Sequence, residues 1–493
     1  MIKDLKFVAP EDVGVSSKNV LKFIEIMEYN KINVHSFLMA KDGKIFSEGY
    51  VSPFDENFMH RIYSSSKTIV SLAVGKLITE GKLHYADKIS DIFSDMIDVE
   101  LDDYTKEATV FDALTMSQPS GPNGIPKSGK ENDRWMYNRL NRTIGKRPSG
   151  TIFTYAGGAD TLAVVVEKIT GKTFLEYLRP EFDKIGVSKD IWCVKAPDGF
   201  AWGGSGVICT LRDFAAIGEF MMNKGCVNGE QLIESEYIEK ATSMQIVNFM
   251  SNTYSPLKTC GYGFLTWITP EGFAFRGMGC ELIFCFPKKN LLFACQADTQ
   301  PGDATHSEIL YQAFKFLIYD NVSEKMPASQ DFVILQNKLK NLKFPTHGNA
   351  HADFEKEING ITYTLDENSM GWKYFRFDFN GEEGALIYEN ARGVKRIRFG
   401  CGWRLKSTFP ETHYYDKKKD EPANRELDSL TIAEWTGEKT LLLRAYIIDT
   451  SFGNLFITFS FKGEQVGVYA SKRAEFFLED YEGIFGGRRK NKA

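Results

Sequence analysis

Ser64 and Lys67 stand three residues apart, so one helical turn would bring a hydroxyl and an amine to the same face. A serine hydroxyl is a poor nucleophile until an adjacent base takes its proton. A lysine can be that base when burial disfavours its ammonium form. The plain alternative is a capped structural helix with a surface lysine. Ser-x-x-Lys is a short motif, and Ser255-Pro256-Leu257-Lys258 also matches it. That second match runs into Thr259-Cys260-Gly261-Tyr262-Gly263, which does not read as a helix.

The elements around the first pair set it apart. Tyr63-Ser64-Ser65-Ser66-Lys67-Thr68 leads into Ile69, Val70, Leu72, Ala73, Val74, Leu77 and Ile78. The serine run suits a helix N-terminus. The apolar segment predicts a helix buried on most sides, and Gly81 suits its left-handed C′ position. Before it, Asp42-Gly43 between Ser36–Lys41 and Lys44–Tyr50 predicts a hairpin with a type I′ turn. A helix from Ser17 to about Glu28 precedes the hairpin. His60 reads as a loop or core histidine.

After the buried helix come helices and long loops. Thr109–Ser117 is a short helical segment broken by Gly121-Pro122-Asn123-Gly124. Arg147–Gly158 is a turn and a short extended piece, and a helix runs from Asp160 to a stop at Gly171. Trp202-Gly203-Gly204-Ser205-Gly206 lacks phosphate-loop spacing and is not read as a nucleotide site. Thr210 caps a helix to about Asn223. Strands follow at 273–277, 281–286 and 291–296, then a helix over Ser307–Tyr319.

The economical fold is α/β of the α+β type. One antiparallel sheet is built from both ends of the domain, helices flank it, and a helical region of about 65–200 is inserted. This gives a domain over 1–321, a linker over 322–355 and an all-β barrel or sandwich over 356–493. Trp372, Trp403, Trp435 and Tyr446 read as core of that second domain in preference to a ligand platform.

Length alone, 493 residues, argues for about three domains, with two also allowed. A composition of 43% hydrophobic and 25% charged residues is that of an ordinary globular protein. A net charge of −5 argues against a general nucleic-acid binder. The basic cluster Arg488-Arg489-Lys490-Asn491-Lys492 reads as a solvated tail. The N-terminal residues carry charges where a signal peptide needs an apolar run, and no stretch of about 18 apolar residues offers a membrane span. Eight scattered cysteines read as reduced thiols in a cytoplasmic protein. The histidines form no ligand pair at helical spacing, so neither a metal nor another cofactor is expected.

Five motifs in chain order now resemble a known family. Ser64–Lys67 is followed by Glu80-Gly81-Lys82-Leu83, then Ala113-Leu114-Thr115-Met116-Ser117 with Ser120-Gly121. Next come Pro148-Ser149-Gly150-Thr151-Ile152-Phe153-Thr154-Tyr155-Ala156-Gly157 and Gly203-Gly204 through Thr210, Asp213 and Ala215. Over about 10–320 the chain resembles the serine β-lactamase-like and penicillin-binding-protein-like hydrolases, nearest to class C β-lactamases and family VIII carboxylesterases. The resemblance implies the β-lactamase/transpeptidase-like fold, Ser64 as nucleophile, and Lys67 and Tyr155 as proton-transfer groups. It implies an oxyanion site between the Ser64 and Met278 backbone N–H groups.

Two departures concern substrate binding. Gly157 stands where the family has an asparagine that helps hold a substrate amide. Phe275-Arg276-Gly277 stands where the family has Lys-Thr-Gly or His-x-Gly. Arg276 either pairs with a substrate carboxylate or is an exposed strand residue. Both departures point away from true β-lactamase activity and toward a small-molecule ester or amide substrate. A D-amino-acid-specific peptidase or amidase is the nearest alternative, and a catalytically degenerate ligand-binding homologue the non-enzyme one. The second domain is left open as packing near the site, mediating a homodimer or binding a ligand of its own. Trp135, Tyr137 and Tyr254 are candidate pocket walls or packed loop anchors, in the regions 121–146 and 245–262 that would set specificity.

Overall fold

Asp42 and Gly43 both take positive φ, 52° and 71°, the type I′ geometry that matches the twist of two adjoining strands. The hairpin they close joins β1 (Val34–Lys41) to β2 (Lys44–Tyr50). The computed structural model describes residues 7–119, 134–141, 145–248, 254–300, 303–411, 426–473 and 481–490. Two units, Met1–Lys343 and Phe344–Ala493, each carry their own hydrophobic core.

In the first unit, α1 (Ser17–Tyr29) buries Val20, Phe23, Ile24 and Met27. The Phe23 ring meets Phe293 with centroids 5.3 Å apart, fixing the helix on the sheet. A short strand, β3 (His60–Arg61), leads to a 3-10 turn at Tyr63–Ser65 and then α2 (Ser66–Thr79). This helix is buried from Ser66 to Leu77, as its all-round apolar sequence predicts. Four helices follow that matter to the site or the sheet: α3 (Val110–Leu114), α4 (Trp135–Leu140), α5 (Gly158–Thr170) and, beyond β4 (Trp192–Cys193) and β5 (Val207–Cys209), α6 (Leu211–Met222). Capping boxes at Thr109/Asp112 and Thr210/Asp213 start α3 and α6.

The chain then returns to the sheet as β6 (Trp267–Thr269), β7 (Gly272–Gly277), β8 (Glu281–Phe286) and β9 (Leu291–Ala297). The sheet order is β2-β1-β9-β8-β7-β6, antiparallel throughout. Both ends of the unit thus build one sheet, with Leu38 opposite Ala294 and Ile283 opposite Ala294 on its other side. Cys209, Cys285 and Cys295 lie buried in strands, and burial pushes each thiol up. Helix α7 (Asp303–Phe314) follows, and α8 (Asp331–Lys340) lies within the stretch expected as linker. Leu335 of α8 is fully buried, and Lys338 reaches Glu28 at 2.6 Å.

The second unit is a barrel. Its strands are β10 (Thr362–Leu365), β11 (Tyr374–Asn380), β12 (Glu383–Asn390), β13 (Gly393–Cys401), β14 (Leu405–Phe409), β15 (Leu427–Gly437), β16 (Thr440–Ile448), β17 (Phe452–Lys462), β18 (Gln465–Arg473) and β19 (Gly483–Arg489). They run in the order β13-β12-β11-β10-β19-β18-β17-β16-β15-β14, and a parallel pairing of β13 with β15 closes the ring. Closure removes the exposed edges that an open sheet would leave. Trp372, Trp435 and Tyr446 are core, as expected, but Trp403 is 42% exposed. Arg488 and Arg489, expected in a solvated tail, end β19 and pair with Thr364 and Tyr363; their side chains are exposed. No described helix is long and apolar enough to cross a membrane.

Candidate active site

Ser64 sits in the 3-10 turn that enters α2, and Lys67 is in the first turn of the helix itself. The helix therefore starts two residues later than the serine run suggests. Residues three apart eclipse in a 3-10 turn, which keeps Ser64 and Lys67 on one side. Tyr63, just before the serine, has a φ of 44°, a costly conformation for a bulky residue. It is held there by burial and by the Arg61 guanidinium, 4.7 Å from its ring centroid.

None of the three serines caps α2. Each binds a different part of the unit. Ser65 Oγ donates to the Glu281 carbonyl at 2.8 Å, and Ser66 Oγ accepts from the Val207 N–H at 3.0 Å. Ser64 Oγ receives Lys67 Nζ at 2.9 Å. Lys67 is 8% exposed and also donates to the Gly204 carbonyl at 2.5 Å. Arg61 brings that glycine-rich loop into place by donating to Ser205 through Nε (2.8 Å) and Nη2 (3.1 Å).

Tyr155 joins this pair from the loop before α5. Its ring centroid is 5.0 Å from Lys67 Nζ. The loop is fixed from below: Thr154 N–H donates to the Met116 carbonyl, Gly150 N–H to the Ser117 carbonyl, and Ser149 Oγ to the Asp112 carboxylate. The motif around Ala113–Ser117 is thus the shelf for the tyrosine loop. The Tyr155 ring also meets Trp267 at 5.4 Å. Trp267 in turn carries the Arg276 guanidinium at 4.8 Å, and Arg276 donates to the Leu257 carbonyl at 3.1 Å. Arg276 is therefore a packed residue of the aromatic wall, half-buried on β7.

Gly277 ends β7 against the backbone before the serine. A Cβ there would lie 2.3 Å from the Ile62 carbonyl oxygen, so only glycine lets the strand end come this close. Met278 follows in the turn to β8. Gly157 is buried at the start of α5, and the Arg139 guanidinium fills its side-chain space. Trp135 is buried against Trp202, with ring centroids 5.1 Å apart, while Tyr137 donates to Asp98 at 2.5 Å. Trp135 is thus a packed anchor on α4, whereas Tyr137 lines a surface pocket with Asp95, Arg134 and Phe200; Tyr254 is 70% exposed. The region 121–146 lies largely outside the described residues, as does the Gly121–Gly124 break. In the second Ser-x-x-Lys match, Ser255 Oγ donates to Glu308, and the segment is not helical.

Sequence reasoning missed four contributors. Gly204 supplies a carbonyl to Lys67, and Asp160 Oδ1 accepts the Gly204 N–H at 2.7 Å. Arg139 pairs with Asp160 Oδ2 at 3.0 Å. Tyr262 is fully buried between Phe153 and Trp267, and its hydroxyl makes no hydrogen bond to the described residues. Its phenol is pushed well up, first by burial and then by Tyr155. The Gly203-Gly204 motif could have flagged the first of these; nothing local marks the pairing of positions 139 and 157.

A second polar cluster lies behind the nucleophile. His35 Nδ1 and His60 Nε2 are 2.9 Å apart, and His60 Nδ1 is 3.2 Å from both Glu281 Oε1 and the Arg61 carbonyl. All three side chains are buried. Burial lowers the His60 imidazole to about 3, with the Arg61 contact opposing. His60 is thus a core histidine.

A half-buried serine beside a buried lysine at the entrance of an apolar helix, next to an antiparallel sheet with an inserted helical region, defines the serine β-lactamase fold class. The Beta-lactamase family model matches residues 23–315, more than half of the chain, and the chain belongs to that family. Among curated proteins it is similar to the 6-aminohexanoate-dimer hydrolase of Paenarthrobacter ureafaciens, 24% identical over 223 residues. That match covers 41% of this chain and 56% of the relative, so it spans little more than half of the relative's length. Among solved structures, a penicillin-binding protein homologue from Caulobacter crescentus is similar with a TM-score of 0.50 at 15% identity, covering 62% of this chain and 99% of that one. A family VIII carboxylesterase is similar with a TM-score of 0.48 at 15% identity, covering 62% of this chain and 99% of that one.

Proposed function

We propose that the chain is a serine hydrolase that cleaves a small-molecule ester or amide through an acyl-enzyme on Ser64. The observation that carries this reading is the buried Lys67 Nζ at 2.9 Å from Ser64 Oγ. In this reading Lys67 takes the Oγ proton as Oγ attacks the substrate carbonyl carbon. The negative charge moves to the carbonyl oxygen, which the N–H groups of Ser64 and Met278 hold. Collapse breaks the bond to the alcohol or amine, and the proton returns to that leaving atom by way of Lys67 and Tyr155. Water then attacks the acyl-serine with the same groups acting in reverse.

The 6-aminohexanoate-dimer hydrolase likeness supports an amide among the substrates. Glycine at 157 and arginine at 276 support esters and open-chain amides over β-lactams. The intact Ser64–Lys67 contact favours turnover over a ligand-binding role. The test is to mix the protein with p-nitrophenyl butyrate, quench in acid and read intact mass. Wild type should release p-nitrophenol and carry one acyl group, mapped to Ser64. Lys67→Ala should release it about 10²–10⁴ times more slowly, the usual worth of a positioned base. Folded wild type that releases none would contradict the proposal.

A further inference from the structure

Asp160 stands in the first turn of α5, where an acidic side chain ordinarily serves the N-terminus of its own helix. Its two carboxylate oxygens turn to other elements instead. Oδ1 accepts the Gly204 N–H at 2.7 Å, across 44 residues of chain. Oδ2 meets Arg139 Nη2 of α4 at 3.0 Å, and the Asp160 side chain is only 17% exposed. The carboxylate is thus a tertiary contact, made to the glycine-rich loop between β4 and β5.

That loop is shaped to receive it. A Cβ on Gly204 would lie 2.6 Å from Asp160 Oδ1, although the Gly204 backbone is outside the left-handed region. A Cβ on Gly203 would lie 2.6 Å from the Ala163 Cβ and 2.9 Å from the Ala159 carbonyl oxygen. Both glycines are there for space, and they let the loop lie directly on α5. The carbonyl of Gly204 then accepts Lys67 Nζ at 2.5 Å, with Nζ 2.9 Å from Ser64 Oγ. On the far side of that carbonyl, Arg61 Nε donates to the Ser205 carbonyl at 2.8 Å, and the Ser205 N–H donates to the Trp202 carbonyl at 3.2 Å. The Gly204 carbonyl is therefore pinned before and after, by Asp160 on one side and Arg61 on the other.

The chemistry gives this carbonyl a use. Once Lys67 has taken the serine proton it is an ammonium with three N–H donors. Lys67 is 8% exposed, and a buried ammonium needs acceptors already in place as it forms. We propose, on the reading of Ser64 as nucleophile, that Asp160 is a positioning residue: by holding the Gly204 N–H it aims the Gly204 carbonyl at Lys67 Nζ, ready for the proton that leaves Ser64. The carboxylate touches neither the amine nor the serine; it acts through the loop.

The experiment measures kcat and KM for p-nitrophenyl butyrate on wild type, Asp160→Ala, Asp160→Asn and Gly204→Ala, with a melting curve for each. Asp160→Ala should lose about tenfold or more in kcat, toward the roughly 10²-fold that a misplacement of about 1 Å can cost. KM should stay within about threefold, because ester binding is left alone. Asp160→Asn keeps an oxygen acceptor for the Gly204 N–H and should restore most of the lost kcat, which a general loss of packing would not predict. Gly204→Ala keeps the carboxylate but pushes it off the loop, and should match Asp160→Ala. It also keeps the test decisive if Asp160→Ala fails to fold. Wild-type kcat in folded Asp160→Ala or Gly204→Ala, a loss confined to KM, or a loss that Asp160→Asn does not restore would overturn the proposal. Wild type that turns over no ester and takes no fluorophosphonate would instead overturn the hydrolase reading beneath it.

Discussion

His60 shows how one residue's surroundings become a property of the whole fold. One tautomer satisfies its contacts: Nδ1–H points to Glu281 and the Arg61 carbonyl, and Nε2 accepts from His35 Nδ1–H. Protonating His60 would break the His35 contact and bury a charge. Burial holds its folded value at about 3, against 6.5 for an ordinary imidazole. The unfolded chain therefore binds a proton between these values that the folded chain does not. Stability from this group is full above pH 6.5 and is lost as pH falls toward 3. The expected slope is about 1.4 kcal/mol per pH unit within that window. Urea unfolding at pH 7, 6, 5 and 4.5 should show a shallower loss for His60→Gln than for wild type. Equal slopes would place the acid sensitivity elsewhere. The sequence allowed a loop or a core histidine here, because the partners His35 and Glu281 lie far along the chain.

Local signals at the scale of elements were read correctly. The Asp42-Gly43 hairpin, the buried apolar helix behind Ser64 and the Thr210 cap each depend on neighbours a few residues away. The Ser64–Lys67 pair was legible for the same reason, although its serine lies in a 3-10 turn. The serine run misled because the Ser65 and Ser66 hydroxyls serve distant backbone groups on β8 and β5, not the helix end. Three barrel strands were not legible: β14 is only five residues long, and β15 and β19 lack the usual pattern. In β15, Thr431, Glu434 and the apolar residues around them are all buried, so the alternation that marks a half-exposed strand is missing. Glu434 can be buried because Arg444 of β16 pairs with it. In β19, Gly483, Gly486 and Gly487 weaken any strand signal. The Arg139–Gly157 pairing was hidden for a third reason: it is a contact between a helix and a loop with no motif of its own.

For the whole molecule, the two cores carry an expectation of independence. Each unit has its own sheet and its own buried cluster, which is the anatomy of a domain. The fragment 344–493, expressed alone, should give a β-type circular dichroism spectrum and a cooperative melt. A fragment without a cooperative transition would show that the barrel needs the first unit to fold. The first unit holds every residue assigned here to chemistry, and the central claim about it is that Ser64 is an activated nucleophile. The most direct measurement is intact mass after incubation with a fluorophosphonate probe, with wild type and Ser64→Ala side by side. One adduct is expected on wild type and none on Ser64→Ala. No adduct on folded wild type, or the same adduct on both proteins, would contradict the claim.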